Sequence, residues 1–128
     1  MEFIQTNKAP SAIGPYSQAV VANGMVYTSG QIALGADGND SLLNEGVEVQ
    51  AVQVLRNLEA VLQEAGSSLN NVIKTTIFLA NMDDFTAVNE IYEEAFGVHK
   101  PSRSTVAVKT LPKNALVEID AIALLSER

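Results

Sequence analysis

The chain has 128 residues, room for one globular domain spanning 1–128 and not for a second. Its 47% apolar and 18% charged residues belong to a folding chain and exclude a disordered one, while eight Lys and Arg against fifteen Asp and Glu leave a net charge of −7 that disfavours a nucleic-acid partner. Without cysteine there is no disulfide, iron–sulfur cluster, thiolate zinc site or thiol nucleophile, and the single histidine, His99, cannot supply a site with two or three imidazole ligands.

The first ten residues, with Glu2 early, lack the apolar stretch of a leader, and the longest aliphatic run, Ala121 to Leu125, is far too short to span a bilayer. The expectation is a cytoplasmic protein with no membrane partner. Phe3–Thr6, Ser17–Val21 and Met25–Ser29 read as strands, and Asn23-Gly24 between the second and third is a type I′ hairpin signal because both residues tolerate positive φ. Asp37-Gly38-Asn39-Asp40 lacks calcium-loop spacing and reads as a turn. From Glu45 to Ala65, Val47, Ala51, Val54, Leu55, Leu58, Val61 and Leu62 recur at helical spacing, with Asn44 placed to cap the start and Gly66 the end. Val72–Leu79 is a strand. A second helix, Asp84 to Phe96, carries Phe85, Val88, Tyr92 and Phe96 on one stripe, starts near Asp83 or Asp84 and stops at Gly97. Ser102–Val108 and Leu116–Leu125 complete six strands. The order β-β-β-α-β-α-β-β, with right-handed crossovers, predicts an α+β fold: a six-stranded mixed sheet with both helices on one face.

That leaves a face uncovered. Along the last strand Val117, Ile119, Ala121, Ala123 and Leu125 suit the helix side, whereas Leu116, Glu118, Asp120, Ile122 and Leu124 mix large aliphatics with two carboxylates. Such a face is too apolar for water and too charged for a closed core, as an oligomer interface carrying a polar site would be. In Ser102–Val108, placing Val106 and Val108 toward the helices turns Arg103 and Thr105 to the open face beside Glu118. Arg103 there reads either as an anion-binding fork or as half of a structural ion pair with Glu118 or Asp120.

Other positions carry weaker signals. Gly14-Pro15 sets a turn that holds the Tyr16 hydroxyl at a strand entrance. Gly30, after Thr28-Ser29, lets backbone N–H groups approach a ligand oxygen. Asn89 lies inside the apolar stripe of the second helix and needs partners, most simply backbone. His99 reads as a solvated loop histidine.

Together these segments resemble a known family. Gly14-Pro15-Tyr16-Ser17-Gln18-Ala19, Thr28-Ser29-Gly30-Gln31-Ile32, Val88-Asn89-Glu90-Ile91-Tyr92, Ser102-Arg103-Ser104 and Val117-Glu118-Ile119-Asp120-Ala121 are similar to the signatures of the YjgF/YER057c/UK114 (Rid, reactive intermediate deaminase) family, in its RidA-like branch. The resemblance implies a chorismate-mutase-like subunit in a homotrimer with a central barrel and three clefts between neighbours. It implies hydrolysis of 2-aminoacrylate and 2-aminocrotonate, or their imine tautomers, to 2-oxo acid plus ammonia, with no cofactor and no metal. In that activity Arg103 clamps the carboxylate of a small 2-imino or 2-oxo acid, Glu118 handles the attacking water, and Tyr16, Ser29, Gly30, Asn89 and Thr105 line the cleft. Thr105 stands where the family commonly has cysteine. The alternative is a non-catalytic regulatory trimer that binds a small carboxylate. A ribonuclease is the weakest reading, because of the net charge and the want of a histidine pair.

Overall fold

The computed structural model describes residues 1–126; the last two residues of the expected 1–128 domain lie outside that range. The elements follow the predicted order: β1 (Glu2–Ile4), β2 (Ala19–Ala22), β3 (Met25–Thr28), α1 (Val47–Glu64), β4 (Val72–Leu79), α2 (Phe85–Phe96), β5 (Ser102–Ala107) and β6 (Val117–Leu124). They form one unclosed mixed sheet of order β1-β2-β3-β6-β4-β5, antiparallel throughout except where β4 and β5 run parallel. The hairpin turn is as expected, with Asn23 at φ 53° and Gly24 at φ 76°.

Helix boundaries differ from expectation in their caps. Asn44 does not cap α1; it ends a short 3-10 turn, Ser41–Asn44, and Gly46 takes the N-cap position. α2 starts where expected, with Asp84 in the N-cap position but making no side-chain cap bond; the 3-10 turn before it, Met82–Asp84, is capped by Asn81, whose side chain accepts the Asp83 N–H at 2.8 Å. Gly66 and Gly97 follow the ends of α1 and α2 with φ of 87° and 62°, the left-handed conformation glycine adopts without Cβ strain.

The core lies between the helices and one face of the sheet. Val117, Ile119, Ala121 and Ala123 of β6 are buried there beneath Val54, Leu58, Val61 and Leu62 of α1, as alternation requires. The opposite face carries a row of register partners across four strands, Phe3, Val20, Tyr27 and Ile122, with Leu124 and Met25 beside it. Phe3, Tyr27 and Leu124 are exposed, so this face is apolar and open. Leu116 does not belong to it. It precedes β6, gives its N–H to Gln50 Oε1 at 2.9 Å and packs on the core.

β5 presents the opposite face from the one its alternation suggests. Its parallel register sets Arg103 beside Thr75 and Thr105 beside Ile77, and both β4 residues are fully buried on the helix side. Register partners share a face, so Arg103 and Thr105 point toward the helices, while Ser104 and Val106 point to the open side with Glu118 and Asp120. An ion pair from Arg103 to either carboxylate therefore does not form within the chain. The physical reason is that β5 is an edge strand: Val106 is left 42% exposed, and apolarity does not mark the core side.

Candidate functional site

Two clefts, on opposite faces of the sheet, collect all the expected site residues but Thr105. The first, of about 330 Å³, brings together Tyr16, Ser29, Gly30 and Glu118 with Ile13 and Ile32. One wall starts at Pro10 and is fixed by Gln18, a fully buried amide that accepts the Thr6 N–H at 2.7 Å and donates to the Pro10 carbonyl at 2.7 Å. Along it Tyr16 N–H bonds the Gly14 carbonyl at 2.8 Å, and the phenol oxygen accepts the Ile13 N–H at 3.4 Å. The opposite wall is held by Asn57 of α1, whose amide donates to the carbonyls of Ile32 and Leu34 at 3.1 and 2.9 Å. A buried amide left unpaired is costly; here each spends its hydrogen bonds on a wall of the cleft. For Asn57 the sequence signal is a polar amide on the buried stripe of α1 with Val54 and Val61; Gln18, which precedes β2 and shares the parity of the open-face Val20, has no such signal.

The floor is built by backbone. Gln31 exchanges two hydrogen bonds with Ile119, at 2.9 and 3.2 Å, which lays residues 29–31 along β6. Ser29 donates its hydroxyl to the Ser17 carbonyl at 2.5 Å. Gly30 then faces Glu118 so closely that a Cβ on it would lie 2.7 Å from Glu118 Cδ. Its φ is not positive, so glycine is required here for space and not for conformation. Burial pushes the Glu118 carboxyl above its ordinary value, and the neighbouring Asp120 charge adds to the rise. Burial also raises Asp120, against the hydrogen bonds from Thr76 and the Lys74 charge.

The second cleft, of about 340 Å³, is lined by Asn89, Tyr92, His99 and Arg103 among others. Arg103 Nη1 donates to Asn89 Oδ1 at 2.8 Å, so the buried-stripe asparagine serves a side chain instead of backbone. Tyr92 oxygen lies 2.8 Å from Thr75 Oγ1, and burial raises its phenol above the ordinary value. His99 is not a solvated loop residue. Its Nε2 lies 2.6 Å from the Val72 carbonyl, a contact that requires the imidazole to donate there, and its ring packs near Phe96. Thr105 lines neither cleft, and its hydroxyl is enclosed with no hydrogen-bond partner among the described residues.

Among the described residues no group of three or more His, Cys, Asp or Glu converges, and no helix is long and apolar enough to cross a membrane. What one chain presents is a carboxylate of raised proton affinity in one cleft and an arginine fork in the other, separated by the sheet.

Comparison with known proteins shows the family. The family model described as Endoribonuclease L-PSP matches residues 6–125. A RutC family protein of Synechocystis sp. is 55% identical over 127 residues, covering 98% of this chain and 97% of its own. A 2-iminobutanoate/2-iminopropanoate deaminase of Mus musculus is 48% identical over 123 residues, covering 96% and 90%. The crystal structure of E. coli TdcF with bound serine superposes with a TM-score of 0.92 at 40% identity, covering 98% of this chain and all of that one (100%). With the sheet order, the cleft geometry and these matches in hand, the chain belongs to the YjgF/RidA family.

Proposed function

We propose that this protein is a hydrolytic deaminase of reactive 2-enamine and 2-imino acids, 2-aminoacrylate and 2-aminocrotonate among them, working in the cytoplasm as a homotrimer of one RidA-like domain per chain. The observation that carries the reading is the separation of the two half-sites: Glu118 with Tyr16, Ser29 and Gly30 on the open face, Arg103 with Asn89 on the helix face. Arg103 and Glu118 face opposite sides of the sheet and do not meet within one chain. Docking the apolar open faces of three chains around a common axis lets Arg103 of one subunit meet Glu118 of its neighbour.

In the joined site the guanidinium takes the substrate carboxylate through paired N–H donors, fixing the imine carbon against Glu118 and exchanging a random encounter for an oriented one. Glu118, ionised, accepts a proton from water as the oxygen bonds to the imine carbon. It passes that proton to the nitrogen to give a carbinolamine, then takes the remaining hydroxyl proton and delivers it to the amine as the C–N bond breaks, so that both water hydrogens leave on ammonia and a 2-oxo acid remains. The raised proton affinity of Glu118 suits both transfers. The chemistry is carried by side chains, with no cofactor and no metal. Support comes from the deaminase named in Mus musculus and from the serine held by TdcF, which is an amino acid of the substrate's size.

The serine-bound neighbour also favours a second reading, in which the same fork binds a small carboxylate without turnover for a regulatory purpose. The test is ammonia release from enamine generated in place by a pyridoxal-phosphate-dependent dehydratase. Release above the spontaneous rate, lost in Arg103→Ala, supports the deaminase; no acceleration with retained 2-oxo acid binding supports the binder.

A further inference from the structure

We propose that Phe85 and Tyr92 are positioning residues that hold the Arg103 guanidinium as a charged, un-neutralised receptor for a planar oxyanion. The inference deepens the carboxylate-clamp reading above and rests on it.

Arg103 Cζ lies 4.9 Å from the centroid of the Tyr92 ring and 5.5 Å from that of Phe85. Both distances fall within the roughly 6 Å over which the negative face of an aromatic ring attracts a cation. Phe85, Asn89 and Tyr92 stand at i, i+4 and i+7 of α2, one stripe of a single helix, so two ring faces and an amide oxygen converge on the group that β5 delivers.

Glu93, one turn after Asn89, lines the same cleft but makes no ion pair with Arg103, and that decides the use of the stripe. A carboxylate would hold the arginine at least as firmly, but it would occupy the in-plane N–H donors that a ligand carboxylate needs and would cancel the charge that attracts it. An aromatic ring face attracts the cation through its π electrons and takes none of its N–H donors as an ion-pair partner would, so Tyr92 and Phe85 can hold Arg103 without neutralising it. Asn89 Oδ1, neutral, takes one N–H at 2.8 Å and fixes the rotation of the fork without neutralising it. The rings are themselves held. Tyr92 is tied through its hydroxyl to Thr75, the register partner of Arg103, and its ring packs 4.5 Å from that of Phe96. Phe85, at the start of α2, is 36% exposed. A planar, delocalised guanidinium can stack on both rings and still present its fork, which a lysine ammonium cannot.

The test uses the full chain and two readouts. In titration calorimetry with 2-oxobutyrate, a stable stand-in lacking the reactive C=N, Phe85→Leu is expected to weaken binding by about three- to tenfold with the thermal midpoint unmoved, and Phe85→Tyr to restore it. Without any ligand, the Arg103 side-chain protons should resonate upfield of ordinary arginine values because they lie against ring faces, and Phe85→Leu should shift them back. Unchanged binding in Phe85→Leu, a loss that Phe85→Tyr does not restore, or ordinary Arg103 shifts in the parent each overturn the inference. Arg103→Ala binding 2-oxobutyrate as the parent does would overturn the clamp reading instead, with the proton shifts still reporting on the aromatic contact.

Discussion

Gly30 and Glu118 share one volume: a Cβ built on Gly30 would lie 2.7 Å from Glu118 Cδ and 3.0 Å from its Cγ, so the carboxylate sits where any other residue would place its side chain. The Glu118 side chain is flexible and the Gly30 backbone is not in the left-handed region, which makes Gly30→Ala a substitution the fold can absorb by turning the carboxylate aside. Expected are a thermal midpoint within a few degrees of the parent and turnover at least tenfold lower, because misplacing a reacting group by about 1 Å costs orders of magnitude. Ammonia release and calorimetry on one preparation decide it; full activity in Gly30→Ala would remove Glu118's position from the mechanism.

Glu118→Gln keeps the shape and loses the proton acceptor. Turnover should fall by roughly a hundred- to ten-thousandfold while 2-oxobutyrate binding survives. In the parent, burial and Asp120 raise the Glu118 carboxyl above the ordinary 4.5, so the acid limb of the rate profile should lie at higher pH than an unperturbed glutamate would give. The stability sign follows from the same shift. A folded value raised above the unfolded one means that the glutamate's contribution is fully present below the unfolded value and is lost as pH rises through the folded one. At neutral pH the ionised parent should therefore melt below Glu118→Gln, and the difference should vanish in acid. Partial exposure keeps the effect small.

If the site is shared, defects on its two halves should complement. Arg103→Ala and Glu118→Gln chains, each inactive alone, should recover about a quarter of parental activity when unfolded together in equal amounts and refolded, since one trimer interface in four then pairs an intact fork with an intact carboxylate. Light scattering should report a trimer for parent and mixture alike. No recovery from mixtures that do form trimers would return both residues to a single subunit's site or to none.

Thr105 presents the opposite case, a polar group with nothing to do. Its hydroxyl is buried without a partner among the described residues, and such a group costs about 1–3 kcal/mol. Thr105→Val, which keeps the shape and removes the oxygen, should raise the melting temperature by a few degrees and leave turnover near the parent's. Destabilisation by Thr105→Val would mean that the hydroxyl finds a partner in the assembled trimer.

Short-range physics is legible in the order of the residues alone. Hairpin and helix stops lie where Asn23-Gly24, Gly66 and Gly97 allow positive φ, and the stripes of α1 and β6 announce their buried faces, because these depend on residues a few positions apart. The segments around Tyr16, Gly30, Asn89, Arg103 and Glu118 are recognisable only through their resemblance to the family's signatures. What the residue order left open was which groups meet. Ser102–Val108 carries small residues on both sides, so its alternation did not say which way Arg103 points; the parallel register with β4, and Thr75 beneath Tyr92, decided that it faces α2. The buried amides Gln18 and Asn57 likewise acquire meaning only from the carbonyls they reach, from 8 to 25 residues away. Periodicity reports burial along one element, whereas a strand's register and a buried amide's partner are set by other elements, and a one-residue slip would have reversed the arginine.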